Sequence, residues 1–530
     1  MSSMREGPTT VVRREDYAAP AYWIDTVDLC FDLDPAKTRV LNKMRLRRNP
    51  DVPAQALRLD GEDLNLARVL VNGAGCSFKM DGQQLVLESL PEGTEPFDLE
   101  IFTTCTPEKN TQLMGLYVSQ GTFFTQCEAE GFRRITYFLD RPDVMSAYTV
   151  TLKADKAAYP VLLQDQTVRQ VARISLGGPR LRIVLSNAYG GQPVTVGRAT
   201  VAKPLPAGAV ESGSLQAVTF GGSAQATIAA GASLVSDPVA LPLASLSRVA
   251  VSLYLPGATP VQSFHWDGRQ TGWIVAGDQS AAAALRTSDP GAISSTARPL
   301  LAGIEVEAEA AAPVVAVMGD SITDGATASL DRDSRWPDFL AARLAPHGAA
   351  VVNAGISGAR LLSDGMGEHA LARLERDVLA QPGVRSLIVL LGINDISWPG
   401  TAFAPRAQRP TLQDMAEGYR QLVARARSHG LRAIGATLPP FEGALPGTPL
   451  DDYYQDGKDD LRRQVNAWIR LGGAFDAVID FDAVLRDSAH PARMAARFDS
   501  GDHLHPGDEG NRAMANAVDL NAILPGLPQR

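Results

Sequence analysis

The segment Val314-Val-Ala-Val-Met-Gly-Asp-Ser321 constrains the fold of this 530-residue chain more than any other segment. Apolar, mostly β-branched residues run up to an abrupt Gly-Asp-Ser, which is typical of a buried parallel strand. In open α/β sheets, ligands bind at the carboxyl ends of such strands. We therefore expect a sheet that presents the Ser321 hydroxyl at this edge. The alternative interpretation is a serine that only caps the following helix.

Three further blocks extend this pattern toward the carboxyl terminus. Two are apolar strands that end in Gly-rich or polar turns, Val351-Val-Asn-Ala-Gly-Ile-Ser-Gly358 and Ser386-Leu-Ile-Val-Leu-Leu-Gly-Ile-Asn-Asp395. The last block, Gly501-Asp-His-Leu-His-Pro-Gly507, places an Asp and a His three residues apart. Because the carboxyl ends of parallel strands share one sheet edge, we expect Ser321, Gly358 and Asn394 to lie close together. The loop with Asp502 and His505 must then fold back over that edge.

Strands and amphipathic helices alternate throughout the last 220 or so residues of the chain. This alternation predicts five β-α units in a doubly wound parallel sheet of flavodoxin-like strand order. The apolar periodicity predicts helices at 336–345, 367–379, 412–429, 459–471 and 506–522, and the two remaining strands at 432–437 and 477–481.

The four blocks, in this order and at this spacing, resemble those of an SGNH hydrolase of the GDSL type over roughly residues 312–530. The G-x-S-x-G signature of α/β-hydrolases occurs nowhere in the chain. By this resemblance, Ser321 matches the nucleophile, His505 the general base and Asp502 its orienting acid. The positions that match oxyanion-hole donors are Ser321, Gly358 and Asn394.

These residue types suit acyl transfer. A serine hydroxyl is a weak nucleophile at neutral pH and needs a base that removes its proton during attack. Histidine serves because its usual pKa lies near neutrality, and a carboxylate on its other ring nitrogen fixes the tautomer. Preorganised donors then stabilise the oxyanion of the tetrahedral intermediate. We therefore expect activity to fall below about pH 6–7, where such a base becomes protonated.

Several residues within the blocks compete for these roles. His503 also adjoins Asp502, but the position before Pro506 favours His505 as the base. Ser357 has no Gly-Asp context and is expected to support the Gly358 turn. Trp398 either walls the acyl pocket or simply packs in the core. Three aspartates are interpreted as turn-forming rather than reacting groups: Asp320, Asp324 and Asp395.

The overall charge excludes some partner classes. The net charge is −9 and the pI is near 5.4, which argues against binding to nucleic acids or anionic membranes. The amino-terminal residues have no apolar core of the kind found in secretory signals, so we expect a cytoplasmic protein. The expected partner is a small-molecule ester or an acetylated carbohydrate, and we expect no cofactor and no metal.

The first 163 residues are predicted to form a separate β-rich domain. It contains all four cysteines, for which we expect free thiols. The run from Phe123 to Asp143, FFTQCEAEGFRRITYFLDRPD, resembles the amino-terminal β-domain of aminopeptidase N, an M1 metallopeptidase, and the resemblance extends over residues 4–163. The zinc-binding H-E-x-x-H motif of that family is absent from the sequence. We therefore interpret Gln126 and Glu128, which match substrate-recognition positions, as structural remnants and expect no peptidase activity.

Short strands separated by Gly, Pro and Ala turns follow, at 181–186, 193–196, 224–229 and 248–255. This spacing predicts a β-sandwich or jelly roll, and the segment resembles the β-domain that precedes some bacterial SGNH hydrolases. The aromatic stretch 264–273 either packs on the neighbouring domain or overhangs the active site. We thus predict two β-rich domains, at 1–163 and 164–308, followed by a three-layer α/β SGNH-hydrolase domain at 309–530. A short linker around 305–313 is predicted between the second and third domains.

The sequence therefore predicts a serine esterase that acts on short-chain, acetyl-type esters through an acyl-enzyme intermediate. Two alternatives stay open at this point. One is a deacetylase of xylan or another polysaccharide. The other is a carbohydrate-binding module whose hydrolase domain is inactive, since sandwiches of this type can bind sugars and a fold alone does not establish function.

Overall fold

The computed structural model describes residues 17–119, 122–128, 130–155, 161–308, 311–401, 404, 406–446, 448, 450 and 452–527. The first residues of the aminopeptidase-like segment and positions 309 and 310 of the predicted linker lie outside these ranges. The chain divides into two compact units, residues 1–160 and residues 161–530. The three-domain division with boundaries at 163 and 308 stays a prediction.

The first unit contains a six-stranded sheet, and its three long strands Tyr22–Leu33, Thr38–Arg48 and Phe97–Cys105 alternate between buried and more exposed side chains. In spatial order, its strands are Ala147–Ala154, Tyr22–Leu33, Thr38–Arg48, Phe97–Cys105, Asn65–Val71 and Ala74–Gly75. A three-stranded sheet contains Leu57–Asp60, Gln84–Leu87 and Lys79–Asp81, and a hairpin contains Gly115–Ser119 and Thr122–Gln126. The four cysteines are free, with Cys105 buried and the other three partly buried.

The second unit begins with two antiparallel sheets that share one apolar core. In spatial order, the larger sheet contains Gln216–Val218, Arg198–Ala202, Arg248–Leu255, Gln166–Arg173, Gly272–Ala276 and Ile293–Ser295. The smaller sheet contains Ser233–Val235, Gly178–Ser186, Val239–Leu243 and Leu301–Val306. Short pairs join Val161–Leu163 to Thr259–Val261, Val194–Val196 to Ala226–Ile228, and Phe264–His265 to Arg298–Pro299. This arrangement, called the sandwich below, is the predicted β-rich fold.

A five-stranded parallel sheet forms the rest of the second unit. Its strands are β1 (Val314–Gly319), β2 (Ala350–Gly355), β3 (Val384–Leu390), β4 (Arg432–Ala436) and β5 (Ala477–Ile479). The spatial order β2-β1-β3-β4-β5 confirms the predicted flavodoxin-like topology. All six residues of β1 are buried, as expected for a central strand covered by helices on both faces.

Helices cover both faces of this sheet, and four of them agree with the predicted segments within a few residues. They are α1 (Ser321–Asp324), α2 (Trp336–Leu344), α3 (Ala370–Leu374), α4 (Ile393–Ser397), α5 (Leu412–Ser428), α6 (Asp456–Leu471), α7 (Phe481–Leu485), α8 (Asp508–Ala517) and α9 (Leu520–Ile523). A π-helical turn, Glu375–Leu379, continues α3. In the part of the chain that the structure describes, no helix is both long and apolar enough to span a bilayer.

The prediction of one continuous helix over 506–522 is wrong, since the structure has two shorter helices there. The structure ends α8 at Ala517, because Val518 takes an extended conformation. The Asp519 carboxylate then accepts hydrogen bonds from two backbone N–H groups and caps a separate α9. Neither Gly nor Pro stands at this break, so the sequence carries no conventional stop signal there.

Candidate active site

Ser321 follows the carboxyl end of β1 and begins α1. The Asp320 side chain caps this helix by accepting a hydrogen bond from the Ile322 backbone N–H at 3.0 Å. Gly325 ends the helix with a φ of 86°. The strand, the cap and the short helix together hold the Ser321 hydroxyl at the sheet edge, where the residue is partly exposed.

His505 comes from the segment just before α8, 184 residues further along the chain. Its Nε2 lies 2.7 Å from the Ser321 hydroxyl oxygen, and its Nδ1 lies 2.6 Å from Asp502 Oδ2. The residue is only 9% exposed, so little water competes for these two contacts. The structure therefore brings Ser321, His505 and Asp502 into one continuous hydrogen-bonded chain.

The Asp502 carboxylate is held by the backbone as well. Its Oδ1 accepts hydrogen bonds from the N–H groups of Leu504 at 3.0 Å and His505 at 2.8 Å. Burial opposes ionisation of this group, but the hydrogen bond and charge of His505 and the two backbone donors together hold its pKa well below the usual value. Asp502 therefore stays ionised at neutral pH and can stabilise an imidazolium at His505.

Gly358 lies in the turn after β2, level with Ser321. Strands β1 and β2 pair in register up to Gly319 and Gly355, so the turns that follow both strands reach the same edge. Gly358 has a φ of 73°, and a Cβ at this position would lie 2.6 Å from the Met366 sulfur. The backbone N–H of Gly358 can therefore face a substrate from a turn that only glycine adopts easily.

Asn394 reaches the same edge from the third strand. Gly392, with a φ of 129°, turns the chain sharply from β3 into α4 and buries the Asn394 side chain at 3% exposure. The Asn394 amide nitrogen donates one hydrogen bond to the Ala359 carbonyl at 3.1 Å. An amide group has two N–H donors, so the second is available for an oxyanion.

Tyr453 is a functional candidate that the sequence motifs did not identify. Its hydroxyl donates a hydrogen bond to Asn394 Oδ1 at 2.8 Å and so fixes which way the amide points. Burial raises the pKa of Tyr453 well above its usual value, so the hydroxyl keeps its proton. No local signal marks this residue, because it lies 59 positions from Asn394 in the loop before α6.

Two buried aspartates flank the site and act as turn-forming groups, as predicted from the sequence. Burial raises the pKa of Asp320 to about 7. Burial likewise raises the pKa of Asp395 to about 6, although both of its oxygens accept backbone N–H bonds, from Leu361 at 2.8 Å and Leu362 at 3.0 Å. Asp395 thereby anchors the segment that follows Gly358.

The remaining sequence candidates lie around the site. His503 turns its Nδ1 to Asp499 rather than to Ser321. Trp398 is 7% exposed, and the Arg360 guanidinium lies 5.1 Å above its ring. In the other unit, Gln126 and Glu128 are both exposed.

The aromatic stretch 264–273 of the sandwich packs against the end of α1 and the loop between α1 and α2. Thr271 donates its hydroxyl to Asp331 at 2.7 Å, and Arg269 Nε donates to the Ala328 carbonyl at 2.8 Å. Within the same stretch, His265 Nε2 lies 2.8 Å from Asp324 Oδ1. These contacts agree with the interpretation that this stretch packs on the neighbouring region. Through His265 the stretch also contacts Asp324, which in turn bonds to Ser357 in the turn that contains Gly358.

Comparison with known proteins matches two parts of the chain to two different families. The family model for GDSL-like lipases and acylhydrolases matches residues 315–518, and the model for the peptidase M1 N-terminal domain matches residues 25–172. Aminopeptidase N of Escherichia coli K12 is 46% identical over 155 residues, which cover 29% of this chain and 17% of that protein. Aminopeptidase N of Caulobacter vibrioides is 40% identical over 180 residues, 33% of this chain and 20% of that protein. The chain thus spans about a fifth of the length of these relatives.

Solved structures also match part of the chain, at low sequence identity. An acetylxylan esterase from Geobacillus stearothermophilus is 23% identical, with a TM-score of 0.29, and the match covers 41% of this chain and 96% of that one. Aminopeptidase A from Legionella pneumophila is 22% identical, with a TM-score of 0.26, over 48% of this chain and 23% of that one. By the family models, residues 315–518 are a GDSL-like lipase/acylhydrolase domain, which makes this part of the chain a carboxylic ester hydrolase, and residues 25–172 match the peptidase M1 N-terminal domain.

Proposed function

We propose that this chain is a serine esterase that hydrolyses short-chain, acetyl-type carboxylic esters through an acyl-enzyme intermediate. The observation that carries the proposal is the hydrogen-bonded chain from Ser321 through His505 to Asp502, with contacts of 2.7 and 2.6 Å. It lies at the sheet edge where Gly358 and Asn394 supply potential oxyanion donors. Nucleophile, base, orienting acid and donors are thus together at one place.

In the acylation step, Ser321 Oγ attacks the ester carbonyl carbon while His505 Nε2 takes the hydroxyl proton. The carbonyl electron pair moves onto oxygen, and the ionised Asp502 stabilises the imidazolium that forms. The imidazolium then donates its proton to the alcohol oxygen as the C–O bond breaks, which leaves an acyl group on Ser321. In the second half-reaction, water attacks the acyl carbon with His505 again as base. The imidazolium then returns the proton to Ser321 Oγ as the acyl–oxygen bond breaks and the acid is released.

The negative oxygen of each tetrahedral intermediate is placed against three donors. They are the backbone N–H groups of Ser321 and Gly358 and the free N–H of the Asn394 amide. A donor of this kind typically contributes about 3–4 kcal/mol of transition-state stabilisation, because it is already oriented when the charge develops. Tyr453 and the Ala359 carbonyl hold the Asn394 amide in place, so little reorganisation is needed.

A small acyl group fits the surroundings of these donors best. The Met366 side chain packs directly over Gly358. The Trp398 ring lies beside Gly365 and is held under the Arg360 guanidinium. The Met366 side chain crowds the turn that carries the Gly358 donor, which supports a preference for acetyl-type over long-chain esters.

The proposal is tested with p-nitrophenyl acetate and a fluorophosphonate probe. The wild-type chain should release p-nitrophenolate and become labelled on Ser321, whereas Ser321→Ala should lose turnover by about 10³-fold or more and resist labelling. Wild-type turnover in Ser321→Ala would refute the assignment. Labelling on another serine in the wild-type chain would refute it as well.

Deacetylation of a carbohydrate is a second candidate, and two exposed aromatic residues favour it. Phe264 and Trp266 are 41% and 63% exposed and flank His265, which contacts the region after Ser321. Exposed aromatic rings offer apolar faces and are common at binding surfaces. Acetate release from acetylated xylo-oligosaccharides tests this candidate. If Trp266→Ala raises KM for the oligosaccharide but not for p-nitrophenyl acetate, the sugar substrate is supported. A KM for the oligosaccharide that is the same in Trp266→Ala and in the wild type would contradict it.

A further inference from the structure

His265 belongs to the sandwich, yet its side chain reaches into the α/β part of the same unit. It lies on the short strand Phe264–His265, and its Nε2 is 2.8 Å from Asp324 Oδ1. Asp324 is the last residue of α1, three positions after Ser321, and its side chain is 6% exposed. His265 of the sandwich thus contacts α1 one helical turn after Ser321, the proposed nucleophile.

The other oxygen of Asp324 holds the turn that contains Gly358. Asp324 Oδ2 accepts two hydrogen bonds from Ser357, one from its backbone N–H at 3.1 Å and one from its hydroxyl at 2.8 Å. Ser357 and Gly358 share a peptide bond, so fixing Ser357 at two points constrains the direction of the Gly358 N–H. Asp324 therefore connects His265 to a proposed oxyanion donor.

The backbones around Asp324 are in close contact and leave little freedom. A Cβ on Gly355 would lie 2.4 Å from the Asp324 backbone nitrogen. The Asn353 side-chain amide donates to the Thr323 carbonyl at 3.0 Å. The end of α1 and the end of β2 are thus joined, and a rotation of the Asp324 side chain has to be taken up by the Ser357–Gly358 turn.

We propose that His265 is a positioning residue for the oxyanion hole. By donating its Nε2–H to Asp324 Oδ1, it holds the carboxylate in the rotamer that anchors Ser357 and orients the Gly358 N–H. The sandwich then has a part in the reaction through His265, a side chain that acts on the oxyanion hole by way of Asp324. This inference rests on the proposed esterase function and adds the sandwich to it.

The test compares His265 variants in the full chain with p-nitrophenyl acetate as substrate. His265→Ala removes the donor, so kcat should fall about 10- to 100-fold while KM stays within about two-fold, because a misplaced oxyanion donor weakens transition-state binding only. His265→Gln keeps an N–H donor at a similar reach and should recover most of kcat. A merely structural role predicts no such recovery.

Thr271→Val is the matched control. Thr271 lies in the same stretch, but its hydroxyl donates to Asp331 at 2.7 Å rather than to Asp324. The variant loses one hydrogen bond between the same two regions and should keep the wild-type kcat. If His265→Ala does not fold, His265→Asn replaces it, since the shorter amide remains polar but does not reach Asp324.

Inhibition by phenylboronic acid supplies a second readout. The boronate adds to a serine hydroxyl and places an oxygen where the oxyanion forms, so its Ki should rise in His265→Ala in proportion to the loss of kcat/KM. Wild-type kcat in His265→Ala, equal losses in Thr271→Val, or failure of His265→Gln to recover activity would each overturn the inference. Full activity in Ser321→Ala would instead overturn the proposed function itself, so the two failures are distinguishable.

Discussion

Individual side chains decide how the Asn394 amide is presented to substrate. Its oxygen accepts from Tyr453 at 2.8 Å and its nitrogen donates to Ala359 at 3.1 Å, which together fix the orientation of the amide. Buried polar groups that are fully paired hold one geometry, and the loss of one partner leaves an unpaired group. The Tyr453 hydroxyl should therefore matter for rate more than for stability.

Tyr453→Phe removes only this hydroxyl. We expect kcat for p-nitrophenyl acetate to fall about 10-fold, with KM nearly unchanged, because the amide loses its fixed orientation toward the oxyanion. The neighbouring Tyr454→Phe is the control, since the Tyr454 hydroxyl bonds to the exposed Asp456 instead. Steady-state kinetics of both variants make the comparison, and equal kcat values for the two would contradict the role of Tyr453.

Asp320 makes the stability of the protein depend on pH. Burial raises its folded-state pKa to about 7, above the usual value of 3.8. The folded state therefore binds a proton more tightly than the unfolded state, so this group's contribution to the free energy of unfolding is largest below about pH 4. The contribution declines as the pH rises toward about 7, by up to about 4 kcal/mol. The raised pKa of Asp395 likewise makes the folded state less stable as the pH rises.

Asp320→Asn keeps a capping oxygen for Ile322 but no longer titrates. Thermal unfolding of the wild type should therefore occur at a higher temperature at pH 5 than at pH 8, and this difference should shrink in the variant. Chemical denaturation at the two pH values measures the same effect as a free energy of unfolding. A pH dependence identical in both proteins would show that Asp320 does not carry it.

At the scale of secondary structure, the turns after the parallel strands determine where the site lies. Gly358 and Gly430 have the same φ of 73°, but a Cβ would meet Met366 at the first position and nothing within 4 Å at the second. Both substitutions by alanine carry the same backbone strain, about 1–3 kcal/mol. They differ in whether the strained turn also carries a proposed oxyanion donor.

Gly358→Ala should therefore lower kcat by at least about 10-fold, since the added methyl group displaces Met366 and disturbs the Gly358 N–H. Gly430→Ala should lower the free energy of unfolding by a similar amount, but its kcat should equal that of the wild type. Thermal unfolding and steady-state turnover, measured side by side, check both expectations. Similar kcat values for the two variants would contradict the role of the Gly358 turn.

The strands of the α/β region could be predicted because a buried parallel strand must be continuously apolar. Val314–Gly319 and Val384–Leu390 show this pattern directly. The short helices α1 and α4 have only four and five residues, too few for apolar periodicity to appear. Their presence depends on capping and tertiary packing, which local sequence does not express.

The proposed site could be predicted only in part for a related reason. Ser321, Asp502 and His505 lie in recognisable local blocks, so the sequence indicated them. The contacts of His265 with Asp324 and of Tyr453 with Asn394 each join residues 59 positions apart. Such pairs arise from how the layers pack, and a single sequence contains no signal for them.

At the scale of the whole molecule, the two units have separate apolar cores. The strand Val161–Leu163 belongs to the second unit, where it pairs with Thr259–Val261 and buries Leu163 at 4% exposure. All residues of the proposed active site, from His265 to His505, lie in the second unit. We therefore expect the second unit to carry the esterase activity alone.

A variant that begins at residue 161 should keep the wild-type kcat for p-nitrophenyl acetate. A variant that begins at Gln166 also loses Leu163 from the sandwich core and should unfold at a lower temperature, because a buried leucine contributes about 2–3 kcal/mol. Turnover and thermal unfolding of both variants test this prediction. Loss of activity in the longer variant would show that residues 1–160 are needed for catalysis.

The central claim is that an acyl group passes through the Ser321 oxygen. Rapid mixing with p-nitrophenyl acetate, acid quenching and peptide mass spectrometry measure this directly. We predict an early burst of p-nitrophenolate and a single acetyl group on the peptide that carries Ser321, absent in Ser321→Ala. An unmodified Ser321 peptide together with undiminished turnover in Ser321→Ala would contradict the account.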